Sequence, residues 1–397
     1  MHMTHGGVSR PIVRALGLLA LGAGSSFGQL QPRLVVSTTS NVSAADSAIG
    51  EIDDGSLTHV GDGAPIRPMF GAGHWLAVAG FVPGDIDAFG RRVGSSPGSA
   101  ESIAFSLLSN EGGFLDGDIL GLDPGAGTIV LISEFEIALA LGMADASIDV
   151  DALSFDNVGR LYFSLQADLN GTLLGDLTDG DILRLDGPGT CSLIASEAQV
   201  QAQFSAATGL SDSIGDVQGI DWFGGEVWVA TQSPSSHDGG VFRALGTPEI
   251  IIEESQVGLG GAELDALSVV RPGEEIVSFT LSAAAADPGD TLQVEAFGAP
   301  GELLFVLPAG AAGYVDFSMH PGFAGFYLDP LDPWLQSVLA AIPGHLVVLD
   351  GAGRYSSSWS LPSGMAFGPG LDGDGWSVQV LALANRELSA PWRISRL

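Results

Sequence analysis

Four short phrases in the sequence place acidic residues at the start of an apolar run, and we call these phrases the acid boxes. They begin at Asp85 (DIDAF), Asp149 (DVDAL), Asp216 (DVQGI) and Glu263 (ELDAL). In three of them a second acid follows two residues later, at Asp87, Asp151 and Asp265. Residues i and i+2 of a strand share a face, so each such pair presents two carboxylates to one side. Hard oxygen ligands without His or Cys favour Ca²⁺.

Other chemistry finds little support in the motifs of the chain. Ser235, Ser236, His237 and Asp238 are neighbours on one turn, whereas a catalytic triad is assembled from separate segments. The chain has no Gly-x-Ser-x-Gly elbow and no His-Glu-x-x-His motif. A glycosidase-type carboxylate pair stays open because acids are abundant, but no motif identifies one. We therefore predict no catalytic residues.

The charge of the chain excludes several classes of function. Its 397 residues carry 47 acids and 14 bases, and every base is Arg. Without Lys there is no phosphate-binding Gly-Lys-Ser/Thr loop and no Schiff-base lysine. Nucleic-acid binding requires clustered bases, so a net charge of -33 excludes nucleic acid as a partner.

The first 28 residues have the pattern of a secretory leader. Arg10 and Arg14 precede the apolar run ALGLLALGAG, and the small residues Ser26 and Gly28 suit cleavage before Gln29. This run is shorter than the about 20 apolar residues of a membrane helix, and we predict no membrane span. We expect a secreted, periplasmic or extracellular protein in which Cys191, the single cysteine, forms no intrachain disulfide.

Two segments of the chain are similar enough to be copies of one unit. FSLLSNEGGFLDGDILGLDPGAGTIVLISE starts at Phe105, and FSLQADLNGTLLGDLTDGDILRLDGPGTCSLIASE starts at Phe163. In the second unit, short apolar runs between Gly/Asp turns predict strands at 151–155, 160–166, 181–185 and 190–195. Both copies end in Ser-Glu-x-Glu/Gln, a capping box that predicts a helix of about two turns.

Weaker copies flank these two, at about 33–63, 225–254 and 274–297, and the first lacks an obvious opening strand. About five units of four short strands predict an all-β, about five-bladed, β-propeller-like domain, with a sandwich or solenoid as the alternative. The repeats resemble degenerate NHL-like propeller blades of exported, uncharacterised bacterial proteins. That resemblance implies that the acid boxes begin the innermost strands and converge on one tunnel mouth. We therefore predict a Ca²⁺ site formed by seven acids: Asp85, Asp87, Asp149, Asp151, Asp216, Glu263 and Asp265.

Two alternatives compete with the metal site: acids at strand starts often accept backbone N–H bonds at turns, and charges at the entrances of blades are often simply solvated. The Asp-Gly-Asp sequences at Asp116, Asp179 and Asp372 are further metal candidates, but they fit favoured hairpin turns. The turn interpretation is preferred for those three sequences.

The chain changes character at about residue 298. Alternating strands such as 355–361 predict a small antiparallel β-sandwich over residues 298–397, after a leader at 1–28 and a repeat domain at 29–297. The Gly-x-Pro-Gly start and the Leu-Asp-x-x-Gly hairpin resemble the C-terminal module of exported bacterial proteins. These motifs describe turns and imply no reaction.

Repetition without a singular catalytic constellation predicts a non-catalytic, exported binding or structural module, stabilised by calcium. Its partner is an extracellular ligand or surface that the sequence does not identify. The alternative is an extracellular propeller hydrolase or lyase that acts on a carbohydrate or a lactone through tunnel-mouth carboxylates.

Overall fold

The computed structural model describes residues 33–38, 40–43, 51–61, 67–92, 102–123, 126–232, 240–253, 264–270, 278–310, 312–315, 326–328, 335–336, 345–361, 375–383, 387–389 and 391–395. The predicted leader and Glu263 lie outside these residues. So do the segment with His237 and the third Asp-Gly-Asp sequence at 372–374.

The described part of the chain is built from antiparallel strands and three short helices. The strands up to residue 270 are β1 (Arg33–Thr38), β2 (Val42–Ser43), β3 (Glu51–Ile52), β4 (Leu57–Gly61), β5 (Arg67–Phe70), β6 (Ile86–Arg91), β7 (Ile103–Leu107), β8 (Ile119–Asp123), β9 (Gly127–Ile132), β10 (Ala152–Phe155), β11 (Leu161–Ser164), β12 (Leu169–Thr172), β13 (Gly175–Leu177), β14 (Ile182–Gly187), β15 (Thr190–Ala195), β16 (Val217–Phe223), β17 (Glu226–Thr231), β18 (Val241–Leu245), β19 (Ile250–Ile252) and β20 (Leu264–Val270). The later strands are β21 (Ser278–Leu281), β22 (Thr291–Phe297), β23 (Leu303–Ala309), β24 (Ala312–Val315), β25 (Phe326–Leu328), β26 (Leu346–Val348), β27 (Arg354–Ser360), β28 (Gly375–Ala382), β29 (Glu387–Leu388) and β30 (Trp392–Ser395). The helices are α1 (Ala72–Val78), α2 (Glu134–Leu141) and α3 (Glu197–Thr208).

Four four-stranded antiparallel sheets form the repeat region. Sheet I has the order β20-β1-β4-β5, sheet II β6-β7-β8-β9, sheet III β10-β11-β14-β15 and sheet IV β16-β17-β18-β19. The four strands of sheet III fall where the sequence predicted them. The all-β class is therefore confirmed.

Each of the four sheets has one edge strand that starts within an acid box. These edge strands, β6, β10, β16 and β20, contact one another in cyclic order, and β6 also touches β16 while β10 touches β20. Apolar residues of the first two strands of each sheet pack between neighbouring sheets: Phe89 and Phe105 are fully buried in one cluster, and Leu153 and Phe163 in the next.

Sheet I joins distant parts of the chain. Its edge strand is β20, whereas its other strands come from the first described residues. Register runs from Arg33 opposite Val270 to Thr38 opposite Leu264. The opening strand that the first unit lacks in the sequence is thus supplied by the fourth acid-box segment.

The predicted fifth unit, at 274–297, does not form a separate four-stranded sheet. Its strands β21 and β22 instead pair in the order β21-β22-β27. A second antiparallel sheet has the order β26-β23-β28-β29, with β30 also on β28. Apolar side chains of both sheets, including Phe279, Val294, Val378 and Val380, share one buried cluster. The predicted boundary at residue 297 stays a prediction, and one sheet has strands on both sides of it.

The later sheets contact the repeat region through α1. The Trp392 ring lies edge-on to His74, with ring centroids 4.8 Å apart. A Cβ on Gly73 would come within 2.1 Å of the Trp392 ring, so glycine permits this close packing. Among the described residues, no helix is both long and apolar enough to cross a membrane.

Candidate functional site

A β-bulge occurs at the same position in the acid-box strands. In β6 the pairing passes from Ile86 opposite Leu107 to Ala88 opposite Ser106, which leaves Asp87 as the extra residue. The same shift leaves Gln218 as the extra residue of β16 and Asp265 as the extra residue of β20. Bulges redirect a side chain and are enriched next to functional sites.

The third sheet follows the same plan just before β10 begins. The amide of Gln166 donates to the Asp149 carbonyl oxygen at 3.3 Å, and the Asp151 amide donates to Ser164 at 3.4 Å. The equivalent bond in sheet IV runs from the Gln232 amide to the Asp216 carbonyl oxygen at 3.0 Å. Asp87, Asp151, Gln218 and Asp265 therefore occupy equivalent places, and we call these four residues the central ring.

The three acids of the central ring are buried. Asp87 is 5%, Asp151 6% and Asp265 8% exposed. Oδ2 of Asp87, Oδ2 of Asp151 and Oε1 of Gln218 have no hydrogen-bond partner among the described residues. Because a buried polar atom without a partner costs about 1–3 kcal/mol, several such oxygens at equivalent positions indicate a site rather than a core.

Carboxyl groups at this site interact directly with one another. The charges of Asp216, Asp87 and Asp265 all act on the Asp151 carboxyl, and that of Asp216 has the largest effect of the three. The structure thus brings together Asp87, Asp151, Asp216 and Asp265.

Burial and mutual repulsion favour the protonated forms. Burial, followed by the charge of Asp149, raises the pKa of Asp87 to about 8. Burial, followed by the charge of Asp216, raises the pKa of Asp151 to about 10. Both groups therefore retain protons at neutral pH when no cation is bound.

The first acids of three boxes, Asp85, Asp149 and Asp216, have mixed roles. Oδ1 of Asp85 accepts from the Ile86 amide at 2.8 Å, and Oδ1 of Asp216 accepts from the Val217 amide at 2.7 Å. These bonds agree with the turn-capping interpretation. Burial is nevertheless the largest cause that raises the pKa of Asp85, and that of Asp149 and Asp216 to about 7.

The donor set suits a hard cation. Its carboxylate and amide oxygens are the ligand types that Ca²⁺ takes. In the described ranges, no group of three or more His, Cys, Asp or Glu side chains has the arrangement of a metal site. The predicted metal role of Asp85, Asp87, Asp149, Asp151, Asp216 and Asp265 stays a prediction, and Glu263 lies outside the described residues.

Two of the Asp-Gly-Asp sequences accept hydrogen bonds from the first residues of helices α2 and α3. Oδ1 of Asp118 accepts from the Glu134 amide at 2.9 Å, and Oε1 of Glu134 accepts from the Ile148 amide at 2.7 Å, one residue before Asp149. A Cβ on Gly117 would lie 1.6 Å from the Ile148 carbonyl oxygen, so only glycine fits there. In the next unit, Oδ1 of Asp181 accepts from the Glu197 amide at 2.7 Å. The turn interpretation fits both sequences.

The predicted capping boxes at Ser133 and Ser196 are present at the starts of α2 and α3. From α3, Oε1 of Gln201 accepts from the Ile214 amide at 2.8 Å, two residues before Asp216. The two helices are thus more than connectors, because their side chains fix the segments that lead into two acid boxes.

The serine of the repeated Phe-Ser-Leu motif joins neighbouring sheets. Ser106 Oγ donates to the Val150 carbonyl oxygen at 2.9 Å, and Ser164 Oγ donates to the Val217 carbonyl oxygen at 2.7 Å. Each bond runs from the second strand of one sheet to the acid box of the next. The motif therefore fixes the spacing between successive boxes.

Sequence reasoning missed the polar residues at the far end of the edge strands. Asp221 Oδ1 accepts from Ser154 Oγ at 2.8 Å, and Asp221 Oδ2 accepts from the Val269 amide at 2.7 Å. Arg91 donates from Nε to Ser268 Oγ at 3.2 Å and from Nη2 to the Val269 carbonyl oxygen at 3.1 Å. These bonds link β10 to β16, β16 to β20 and β20 to β6.

Comparisons with known proteins add no family. No protein-family model matches the chain, and no curated protein matches it. Among solved structures, the extracellular domain of a putative hybrid two component system from B. thetaiotaomicron is similar over 86% of this chain and 42% of that chain, with 8% identity and a TM-score of 0.20. A fungal alcohol oxidase of the AA5 family, in complex with copper, is similar over 92% of this chain and 96% of that chain, with 9% identity and a TM-score of 0.20. The chain thus spans less than half of the first of these two.

Proposed function

We propose that the protein is a non-catalytic, exported binding or structural module, whose propeller-like repeat domain is stabilised by Ca²⁺ held among the acid boxes. Its later sheets form a sandwich-like module for packing or attachment to an extracellular ligand or surface. The observation that carries the proposal is the central ring: four equivalent polar side chains, three of them acids, on edge strands that contact one another.

In this proposal the four sheets are the blades of a four-bladed propeller. The cyclic contacts of β6, β10, β16 and β20 support it. Sheet I supports it too, because a sheet shared between distant chain segments holds the first and last blades together. The acid boxes would then open onto one end of a central axis.

Bound calcium would offset the repulsion between the buried carboxylates of this site. Buried carboxylates repel one another unless protons or a cation offset their charge. Protons do so in the cation-free protein, as the raised pKa values of Asp87 and Asp151 indicate. Extracellular Ca²⁺ sites often have dissociation constants of about 10⁻⁴ to 10⁻³ M, which suits an exported protein.

The test is thermal unfolding followed by circular dichroism, after EDTA treatment, with and without about 10 mM CaCl₂. With dissociation constants of about 10⁻⁴ to 10⁻³ M, this concentration stabilises the folded protein by about 1.4–2.7 kcal/mol. The corresponding rise in Tm is about 2–5 °C for a chain of this size. Asp151→Asn should reduce the rise, because it removes the negative charge and one of the two oxygens that Asp151 offers the cation.

Asp145→Asn is the matched control, since Asp145 is exposed and lies outside the acid boxes. It should keep the full response to calcium. If the unmodified protein shows the same Tm in EDTA and in calcium, the metal part of the proposal is wrong.

A second candidate is a hydrolase or lyase that acts on an extracellular carbohydrate or lactone. The neighbouring Asp151 and Asp216 favour it, because adjacent carboxyls with raised pKa values also serve as general acids and bases. A screen of purified protein on such substrates separates the candidates. Turnover that Asp149→Asn and Asp151→Asn both abolish would establish the enzyme, and Asp145→Asn again serves as the control.

A further inference from the structure

Gln218 stands where the other three acid-box strands carry an acid. The register shift between Val217 and Gly219 makes it the bulged residue of β16, as Asp87 is of β6 and Asp265 of β20. The sequence analysis included Asp216 from this box but gave Gln218 no role. Equivalent bulges direct equivalent side chains, so Gln218 faces the same site as its acidic counterparts.

The side chain of Gln218 also has the chemistry of a ligand. Its Oε1 is buried and has no hydrogen-bond partner among the described residues, as is true of Oδ2 in Asp87 and in Asp151. Those two aspartates are more than nine-tenths buried. Three buried oxygens at equivalent positions thus lack a donor, and one electropositive group between them would satisfy all three.

A neutral oxygen at the fourth position has a clear electrostatic advantage. Ca²⁺ sites combine carboxylates with amide and backbone carbonyl oxygens, so a glutamine fits the donor set. A fourth buried acid would add repulsion among the carboxylates of the cation-free protein. The amide supplies an oxygen without that charge.

We propose that Gln218 is a cation ligand, whose Oε1 is the neutral fourth donor of a Ca²⁺ site that it forms with Asp87, Asp151 and Asp265. This inference rests on the proposed function. It adds a ligand and sets the composition of the site at three carboxylates and one amide from the central ring.

The experiment is isothermal titration of EDTA-treated, dialysed protein with CaCl₂. Gln218→Leu keeps much of the side-chain length and removes the oxygen, so the dissociation constant should rise at least about tenfold, the usual scale for weakening a metal site by one group. Gln218→Asn, which withdraws the oxygen by one methylene, should weaken binding in the same direction. Gln218→Glu restores an oxygen at the original reach and should bind within about threefold of the unmodified protein or more tightly.

Gln203→Leu is the matched control. Gln203 Oε1 is also a buried oxygen without a partner among the described residues, but it lies in α3 and outside the central ring. This variant should bind calcium as the unmodified protein does. It separates the loss of a ligand from the general effect of replacing a glutamine by leucine.

The outcomes distinguish the two proposals. If the unmodified protein gives no binding heat and no calcium-dependent Tm, the proposed function fails. If the unmodified protein binds and Gln218→Leu binds as tightly as Gln203→Leu, only the role of Gln218 is overturned. Should Gln218→Leu not fold, Gln218→Asn decides, and undiminished affinity in that variant overturns the role equally.

Discussion

The two ends of the same edge strands carry opposite kinds of polar chemistry. At the acid-box end, Asp87 and Asp151 lie beside other carboxyls and keep buried oxygens without partners. At the far end, both carboxylate oxygens of Asp221 accept hydrogen bonds, and Arg91 donates to β20. The far end is a completed network that joins strands, whereas the box end is incomplete without protons or a ligand. Stability and function are therefore expected to separate along the length of each strand.

The largest effect is expected from Asp221→Ala. It removes an acceptor that serves Ser154 Oγ and the Val269 amide, and leaves buried donors on two neighbouring strands unsatisfied. Removing one partner of a buried charged network costs about 3 kcal/mol or more. Urea unfolding of cation-free protein measures the loss.

Asp212→Ala is the control for this change, because Asp212 is exposed and should cost less than about 0.5 kcal/mol. A loss below about 1 kcal/mol for Asp221→Ala would mean that the far end does not hold the strands together.

The second largest effect is expected when the pH is varied, because the free energy of unfolding of the cation-free protein should depend on pH. Asp87 and Asp151 have folded pKa values of about 8 and about 10, above their unfolded value of 3.8. Their favourable contribution is complete below pH 3.8 and is lost as the pH rises through the folded values. The free energy of unfolding should therefore fall between pH 7 and 10, by at most about 1.4 kcal/mol per pH unit for each proton still held.

Between pH 7 and 9 this slope comes from the box end, because the Cys191 thiol, whose pKa burial raises to about 11 from 9.0, contributes only above pH 9. His74 is fully buried, and burial lowers its pKa to about 3 from 6.5, so its contribution is lost only as the pH falls below 6.5. Asp151→Asn should flatten the alkaline slope, whereas Asp145→Asn should not. Equal slopes in the two variants would contradict the assignment to the central ring.

The third prediction compares two buried serines of sheet III. Ser154 Oγ, at the far end, donates to Asp221 and accepts from the Trp222 amide at 2.9 Å. Ser164 Oγ, beside the boxes, makes one bond, to the Val217 carbonyl oxygen. Ser154→Ala should cost about 2 kcal/mol and Ser164→Ala about 1 kcal/mol in urea unfolding. The reverse order would contradict the stronger role of the far end.

Much of this architecture was predictable, because local patterns express it. Gly/Asp turns around short apolar runs located the strands of sheet III, and Ser133 and Ser196 marked the helix starts. The count of units was not predictable in the same way. Residues 278–281 and 291–297 have the strand pattern of a repeat and pair with each other, but the second strand then pairs with β27. Pairing over such a distance in the sequence leaves no trace in local periodicity.

The candidate site was predictable where the residue type itself suggests chemistry. The acids of the boxes could be found, whereas Gln218 and Asp221 could not. Gln218 is ordinary until the register reveals its bulge. Asp221 lies five residues after Asp216, and only the arrangement of β10, β16 and β20 brings it to Ser154 and Val269. The third position of each box was the available signal, since aligning the four boxes puts Gln218 beside three acids.

The smallest effect is expected from Asp151→Asn in cation-free protein at pH 7. Asp151 is buried to the same extent as Asp221, being 6% exposed against 8%, so burial alone would predict similar losses. However, the raised pKa of Asp151 means that its carboxyl is already protonated at this pH, and asparagine has nearly the shape and polarity of that neutral form. Because the exchange removes no charge at this pH, the change in urea unfolding should stay within about 1 kcal/mol of zero. A loss as large as that of Asp221→Ala would show that Asp151 belongs to a completed structural network, and the contrast between the two ends of the strands would then be lost.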